Sequence, residues 1–246
     1  MITCTPNSFR VLVSCILLAM GSPIAGASTW NFASGGTSFA ATGNSYGNRL
    51  TFTQGPEKLT VTAWSDTARG GRFGTAQIGR YSTGLGVCNR GERSITRCIT
   101  RGLDHQVDNV LQRDLVLFVF DSPQAMQSLT IDPYGVWDRD VSFWVGSVSS
   151  GVSLSGLNFG TLASLGFGTR VDSLNGPGDA PLTVGLGGLV GNALLVGAGY
   201  PSDGAADRFK IRSLVTSAPM AVVPLPAAAW LFLSALGSIA GLRRLA

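Results

Sequence analysis

The only histidine of the chain, His105, stands in the stretch DHQVDN, between Asp104 and Asp108 and followed by Asn109. A histidine beside a carboxylate can act as a general base, with the carboxylate fixing its tautomer. Any Ser-His-Asp or Cys-His mechanism in this chain must therefore use His105. No GxSxG nucleophile elbow accompanies it. The plainer account is a turn in which Asp104, Asp108 and Asn109 bond local backbone and His105 is an ordinary polar neighbour. On that account no catalytic residue is assigned. The alternative, a secreted hydrolase using His105 with nearby aspartates, requires a hydroxyl nucleophile or a metal within reach. One histidine alone is a poor zinc site.

Aspartate is concentrated around this stretch. From Gly102 to Asp140 there are seven aspartates against Arg113 and Arg139, a net charge of −5. Asp138 and Asp140 flank Arg139 just ahead of an apolar stretch. If a strand begins there, alternation turns both carboxylates to one face, where they could offer oxygen ligands to Ca²⁺. The spacing is not that of an EF-hand loop, and solvated loop ends are the competing account. Calcium is the single cofactor the sequence raises.

Immediately upstream the sign inverts. Arg69 to Arg101 contains seven arginines against Glu92, a net of +6. Three of them, Arg90, Arg93 and Arg97, fall between Cys88 and Cys98. In an oxidising compartment so close a pair of cysteines is expected to form a disulfide, closing a short loop worth about 2–3 kcal/mol. Two thiols on a metal would lack further histidine or cysteine ligands. A pinned loop of guanidinium forks suits the carboxylates of an acidic polysaccharide. The same arginines could instead pair with the aspartate-rich stretch or face water.

The compartment is indicated by the front of the chain. Arg10, the apolar run Val11 to Met20 and the small residues Ala25-Gly26-Ala27 have the order of a secretory signal peptide, residues 1–27, cleaved before Ser28. A transmembrane helix would need a longer run. Leu12-Val13-Ser14-Cys15 loosely matches a lipoprotein box, but cleavage there would cut the apolar run in half. Without Arg10, Arg243 and Arg244 the body keeps 15 basic residues against 14 acidic ones. A near-neutral body gives no case for a nucleic-acid partner.

These residues must be positioned by strands. LTVTA (Leu59 to Ala63) alternates as a half-buried strand does, and LVLFVF (Leu115 to Phe120) is apolar throughout, as a strand covered on both faces would be. SLTI, VSFWV and finally RFKIRSLV (Arg208 to Val215), with Phe209 and Ile211 inward, continue the pattern, and DPYG supplies turn chemistry. The segment GLGGLVGNALLVGAG reads as tight turns between small strands. Val190 stands where a dinucleotide fingerprint would need a third glycine. No stretch of the body sustains a helical period. The expectation is an all-β exported domain over residues 28–217, a β-sandwich or jelly roll.

A linker, residues 218–222, leads to a tail in three parts, residues 223–246. Val223-Pro224-Leu225-Pro226-Ala227 is held extended by its prolines. Residues 227–242 form an uncharged apolar run, about 24 Å as a helix, which snorkelling arginines and local thinning could fit to a bilayer. Arg243-Arg244 ends it and would hold that end on the cytoplasmic side. A buried core helix is disfavoured by the lack of any polar face. Gly237 and Gly241 have GxxxG spacing, a feature of close helix pairs.

Motif, apolar span and basic end in that order resemble the PEP-CTERM sorting signals of Gram-negative bacteria, in the variant called VPLPA-CTERM; VPLPAAAWLF (Val223 to Phe232) carries the likeness. The resemblance covers about a tenth of the chain. It implies export by the secretion machinery and arrest in the inner membrane. It further implies cleavage near the motif by exosortase, an integral-membrane cysteine protease, and transfer to the cell surface or extracellular matrix. GLGVCNRGE, DHQVDN and DRDVSFWVG together are similar to exosortase-dependent surface proteins, which implies an association with exopolysaccharide and biofilm. The cysteines are not part of that pattern. A plain tail-anchored membrane protein is the competing reading of the tail.

Overall fold

The computed structural model describes residues 26–34, 43–66, 71–92, 105–133, 135–199 and 204–219. Most of the expected signal peptide lies outside them, as do the sorting motif, the apolar span, Arg243 and Arg244. Cys98, Arg93, Arg97 and Asp104 lie outside them as well. Among the described residues no helix is long and apolar enough to cross a membrane.

The architecture is all-β. Among the described residues twelve strands run in chain order: β1 (Ala27–Asn31), β2 (Arg49–Gln54), β3 (Glu57–Asp66), β4 (Phe73–Thr75), β5 (Gln77–Tyr81), β6 (Gly84–Cys88), β7 (Val107–Asp108), β8 (Asp114–Asp132), β9 (Val141–Gly146), β10 (Val171–Ser173), β11 (Leu182–Ala198) and β12 (Arg208–Ser217). Among the described residues the one helical segment is a 3-10 helix, Phe159–Leu165.

Two long antiparallel strands form the spine. β11 follows one edge of β8 from Leu182↔Ile131 to Gly197↔Leu115. The other edge of β8 is shared: Asp114 to Phe120 pair with β3, and Ala125 to Asp132 pair with β12. Between them lies Asp121-Ser122-Pro123-Gln124. Pro123 cannot donate a ladder hydrogen bond, so it fits a point where the strand changes partners. β9 joins the outer edge of β11 at Ala193 to Ala198, and β10 follows β9. β12 is flanked on its far side by β1, β6 and β7.

LVLFVF behaves as its composition suggests. Val116, Phe118 and Phe120 enter the main core, which draws on β1, β2, β3, β5, β6, β9, β11 and β12 as well. Leu115 and Leu117 point the other way, into a second cluster with Trp64, Trp144 and Leu195. That cluster is roofed by the segment after β9, through Leu154, Leu162 and Phe167. Phe159 stacks on Trp144 at 5.6 Å and meets Phe73 edge-on at 4.9 Å. Alternation also holds in β3, where Leu59, Val61 and Ala63 are buried between half-exposed threonines. In β12, Phe209 and Ile211 are inward as expected.

The glycine-rich segment differs from expectation. It is no series of small strands but most of β11, seventeen residues long. Gly187 and Gly188, with φ of 69° and 67°, lie where the register slips between Gly185 and Leu189. Glycine tolerates positive φ without steric cost, so the strand bulges there and continues.

Candidate functional site

The end of β6, the short strand β7, the first residue of β8 and the residues leading into β9 and β12 bring together most of the described residues singled out above. β7 is the hinge of the arrangement. Its segment carries His105, Asp108 and Asn109, and the last two serve separate acidic clusters.

His105 is buried, with its ring stacked on Tyr81 at 4.1 Å and 13°. Its backbone passes so close to β6 that a Cβ on Gly86 would collide with the His105 carbonyl oxygen. The Lys210 ammonium lies 5.4 Å from the centre of the Tyr81 ring. Burial, reinforced by the Glu92 charge, raises the Tyr81 phenol. The sequence places Lys210 outward between Phe209 and Ile211, yet it is buried; burial lowers it to about 8 against the upward pull of Asp132. Asp108 accepts the Val110 amide at 2.9 Å, the local backbone bond expected of an aspartate in a turn.

The first cluster unites Glu92, Asp108 and Asp114, each offering a carboxylate oxygen within 4.8 Å of the others. Asn89 organises its floor. Its amide donates to Asp114 Oδ1 at 3.0 Å, its backbone N–H to Glu92 Oε2 at 2.7 Å, and its own Oδ1 accepts from Gly91 and Glu92. Asp114 is wholly buried, and its Oδ2 has no hydrogen-bond partner. Burial first, then the charges of Asp108 and Glu92, push its carboxyl well above the usual carboxylate range, although hydrogen bonds from Asn89 and the Asp108 backbone work the other way.

The second cluster contains Asp138 and Asp140, whose carboxylates do converge, and adds Asp207. Asp140 N–H donates to Asp207 Oδ1 at 2.9 Å, and Asn175 N–H to Asp140 Oδ1 at 2.6 Å. Asn109 donates to Asp207 Oδ2 and accepts from the Asp207 N–H. Asp138 Oδ1 accepts the Arg139 N–H, while the Arg139 guanidinium reaches the carbonyls of Gly176, Pro177 and Ala180. These carboxylates cross-link loops. Glu92, Asp114 and Asp207 carried no local signal in the sequence, because Glu92 is set by the turn after β6 and the two aspartates by the strands they adjoin.

Cys88 ends β6, is buried and is disulfide-bonded. Arg90 lies 4.5 Å from the centre of the Tyr46 ring and donates to Thr75 Oγ1 at 3.2 Å. Its described neighbours in the arginine-rich run serve backbone rather than aspartates: Arg80 binds the carbonyls of Asn31, Phe32 and Ala33, and Arg72 that of Gly156. Apart from these groups, a cleft of about 500 Å³ opens over β2, β3 and β8. Arg49, Thr60 and Thr62 give it polar groups, Leu117 and Val119 an apolar floor, and the loop at 150–152 a wall.

No protein-family model, no curated protein and no solved structure matches the chain.

Proposed function

We propose that the chain is an exported β-sandwich protein of the surface or extracellular matrix, structural or polysaccharide-associated and without enzymatic activity. Its C-terminal segment is a sorting signal cut by an exosortase-like membrane protease while the body lies outside the inner membrane of a Gram-negative cell. The observation that carries this reading is the order of Val223 to Ala227, the uncharged run and Arg243-Arg244 directly after a completed strand. β12 ends at Ser217, and five linker residues in extended form reach no more than about 18 Å. The proline motif follows that strand after a short linker in sequence, and a proline-rich stretch suits a protease groove that takes extended backbone.

The sandwich assignment rests on β8 and β11, which cross from the β3–β9 half to the β12 half while one core cluster takes residues from both. In the same reading Cys88 pairs with Cys98, the other cysteine left after signal removal, and pins the Arg90, Arg93 and Arg97 loop that meets acidic polysaccharide. Intact-mass measurement on the protein from native membrane and extracellular fractions tests the sorting step. The expected product lacks the mass beyond the Val223–Ala227 region. A membrane-only species still ending in Arg243-Arg244-Leu245-Ala246 would establish a tail anchor instead.

A further inference from the structure

The cleft over β2, β3 and β8 plays no part in the role proposed above. It forms where the cover of one sheet face stops. Strand alternation turns Leu59, Val61 and Ala63 into the main core, so Thr60 and Thr62 point to the opposite face. Register sets Thr60 against Val119, Thr62 against Leu117 and Arg49 against Thr62. The apolar roof after β9 closes over Leu117, whereas Thr60 and Thr62 stay half-exposed and Arg49 exposed. The step between the roofed and the open part of this face is the cleft, about 500 Å³, a volume typical of small-molecule sites. Its wall is built in advance. Asn192 on β11 accepts the Val148 N–H at 2.8 Å and donates to the Val148 carbonyl at 2.9 Å, while the Val152 N–H donates to the Ser149 carbonyl at 3.2 Å. Thr62 Oγ1 accepts the Trp64 indole at 3.0 Å, which orients a hydroxyl that can still donate.

We propose that this cleft binds a neutral, hydroxyl-rich glycan chain. Its described lining carries one cation, Arg49, and one anion, Asp121, so no net charge favours a polyanion. No histidine, cysteine or tyrosine is among those lining residues, and the groups present are suited to holding a ligand rather than to moving its protons. A sugar ring has the matching two-sided chemistry, with apolar C–H faces and hydroxyls around its edge. Val119 and Val152, both packed partly buried against the second cluster, offer the apolar contact. The threonine hydroxyls donate and accept, the Asp121 carboxylate accepts from two adjacent hydroxyls, and the Arg49 fork donates to two oxygens. The choice of ligand rests on the polysaccharide-associated role proposed above. The site is nevertheless separate from the Arg90 loop. Recognition through hydroxyls and apolar contact is insensitive to salt, whereas recognition by an exposed basic loop is screened by it.

The test titrates the full-length chain, held in a detergent without a sugar head group, with maltohexaose, cellohexaose and laminarihexaose, and with an alginate oligomer as the acidic comparison. Isothermal calorimetry at low and high salt reads the affinity. At least one neutral hexasaccharide is expected to bind, with an affinity nearly unchanged by salt. Thr60→Val keeps the side-chain shape and removes the hydroxyl, and it should weaken binding about fivefold. Asp121→Asn, at an exposed position, should weaken it severalfold, and Arg90→Gln should leave it unchanged. No binding of any neutral oligomer overturns the proposal, as does binding that survives both Thr60→Val and Asp121→Asn. Binding of the alginate oligomer alone, weakened by salt and by Arg90→Gln, overturns it too while leaving the matrix role of the Arg90 loop intact. A chain that binds a neutral oligomer but not alginate keeps the cleft and removes that loop from matrix binding.

Discussion

Lys210 is the residue whose chemistry departs furthest from its place in the sequence. An alternating strand should turn it to solvent, yet register shifts in β12 around Ser213 and the β5–β6 neighbours enclose it. Its ammonium lies over Tyr81, itself stacked on His105, while the nearby Asp132 is engaged by Arg212 at 2.9 Å. Because its folded pKa of about 8 lies below the unfolded value of 10.5, the unfolded chain holds more protons between those limits. Stability therefore rises with pH across that window, until above about pH 10 the raised Tyr81 phenol acts with the opposite sign. Lys210→Met should add up to about 3 kcal/mol at pH 7 and flatten the dependence between pH 8 and 9.5. Denaturant unfolding at several pH values measures both. A loss of stability at pH 7 would mean that the charge is compensated where it lies.

At the scale of the element, β8 is the strand whose burial the sequence announced most clearly. An apolar run without alternation has two covered faces, so no side should tolerate truncation. Leu117→Ala should cost about 2–5 kcal/mol and Phe118→Ala about 3–5, although their side chains enter different clusters. A strand with one wet face would show only one such loss, and chemical denaturation of the two variants decides the matter. The strands β3 and β9 were equally legible through alternation and continuous apolarity, and β12 was legible apart from the buried Lys210. β11 was not. Its paired glycines at 187 and 188 carry turn composition, and only cross-strand pairing with β8 shows that they form a bulge inside one strand. The acidic clusters were half legible for a related reason. Asp138 and Asp140 announce themselves by spacing, whereas Asp207 arrives through β12 and Asp114 through β8, with nothing local to mark them. His105 was legible as singular but not as the partner of Tyr81, which lies on a different strand.

Across the whole molecule, charge is distributed by segment rather than by net value. The arginine-rich run continues past β6, and Arg90, its described member there, rests on the Tyr46 ring. The expected carbohydrate contact is therefore a local basic feature on a near-neutral body, and it should be sensitive to salt. Replacing Arg90, Arg93 and Arg97 together with glutamine should lower retention in an acidic polysaccharide matrix by severalfold at low ionic strength. The difference should fade at high salt. Co-sedimentation with the polysaccharide measures it, and retention unchanged by the triple substitution would remove this loop from matrix binding.

The pairing of β1 with β12 has a consequence in time as well as space. Ala27 faces Ser217 and Trp30 faces Leu214, with the Trp30 indole donating to Thr216 Oγ1. Phe209, Ile211 and Leu214 enter the main core from the same last strand. A chain threaded outward from its N-terminus cannot close this sheet until residue 217 has emerged, because among the described residues β1 pairs with β12 alone. The contact that joins the two ends is then a completion signal. Under the proposed sorting role, the body would close only once the segment just ahead of the proline motif has followed it out, so folding would finish before the tail is cut.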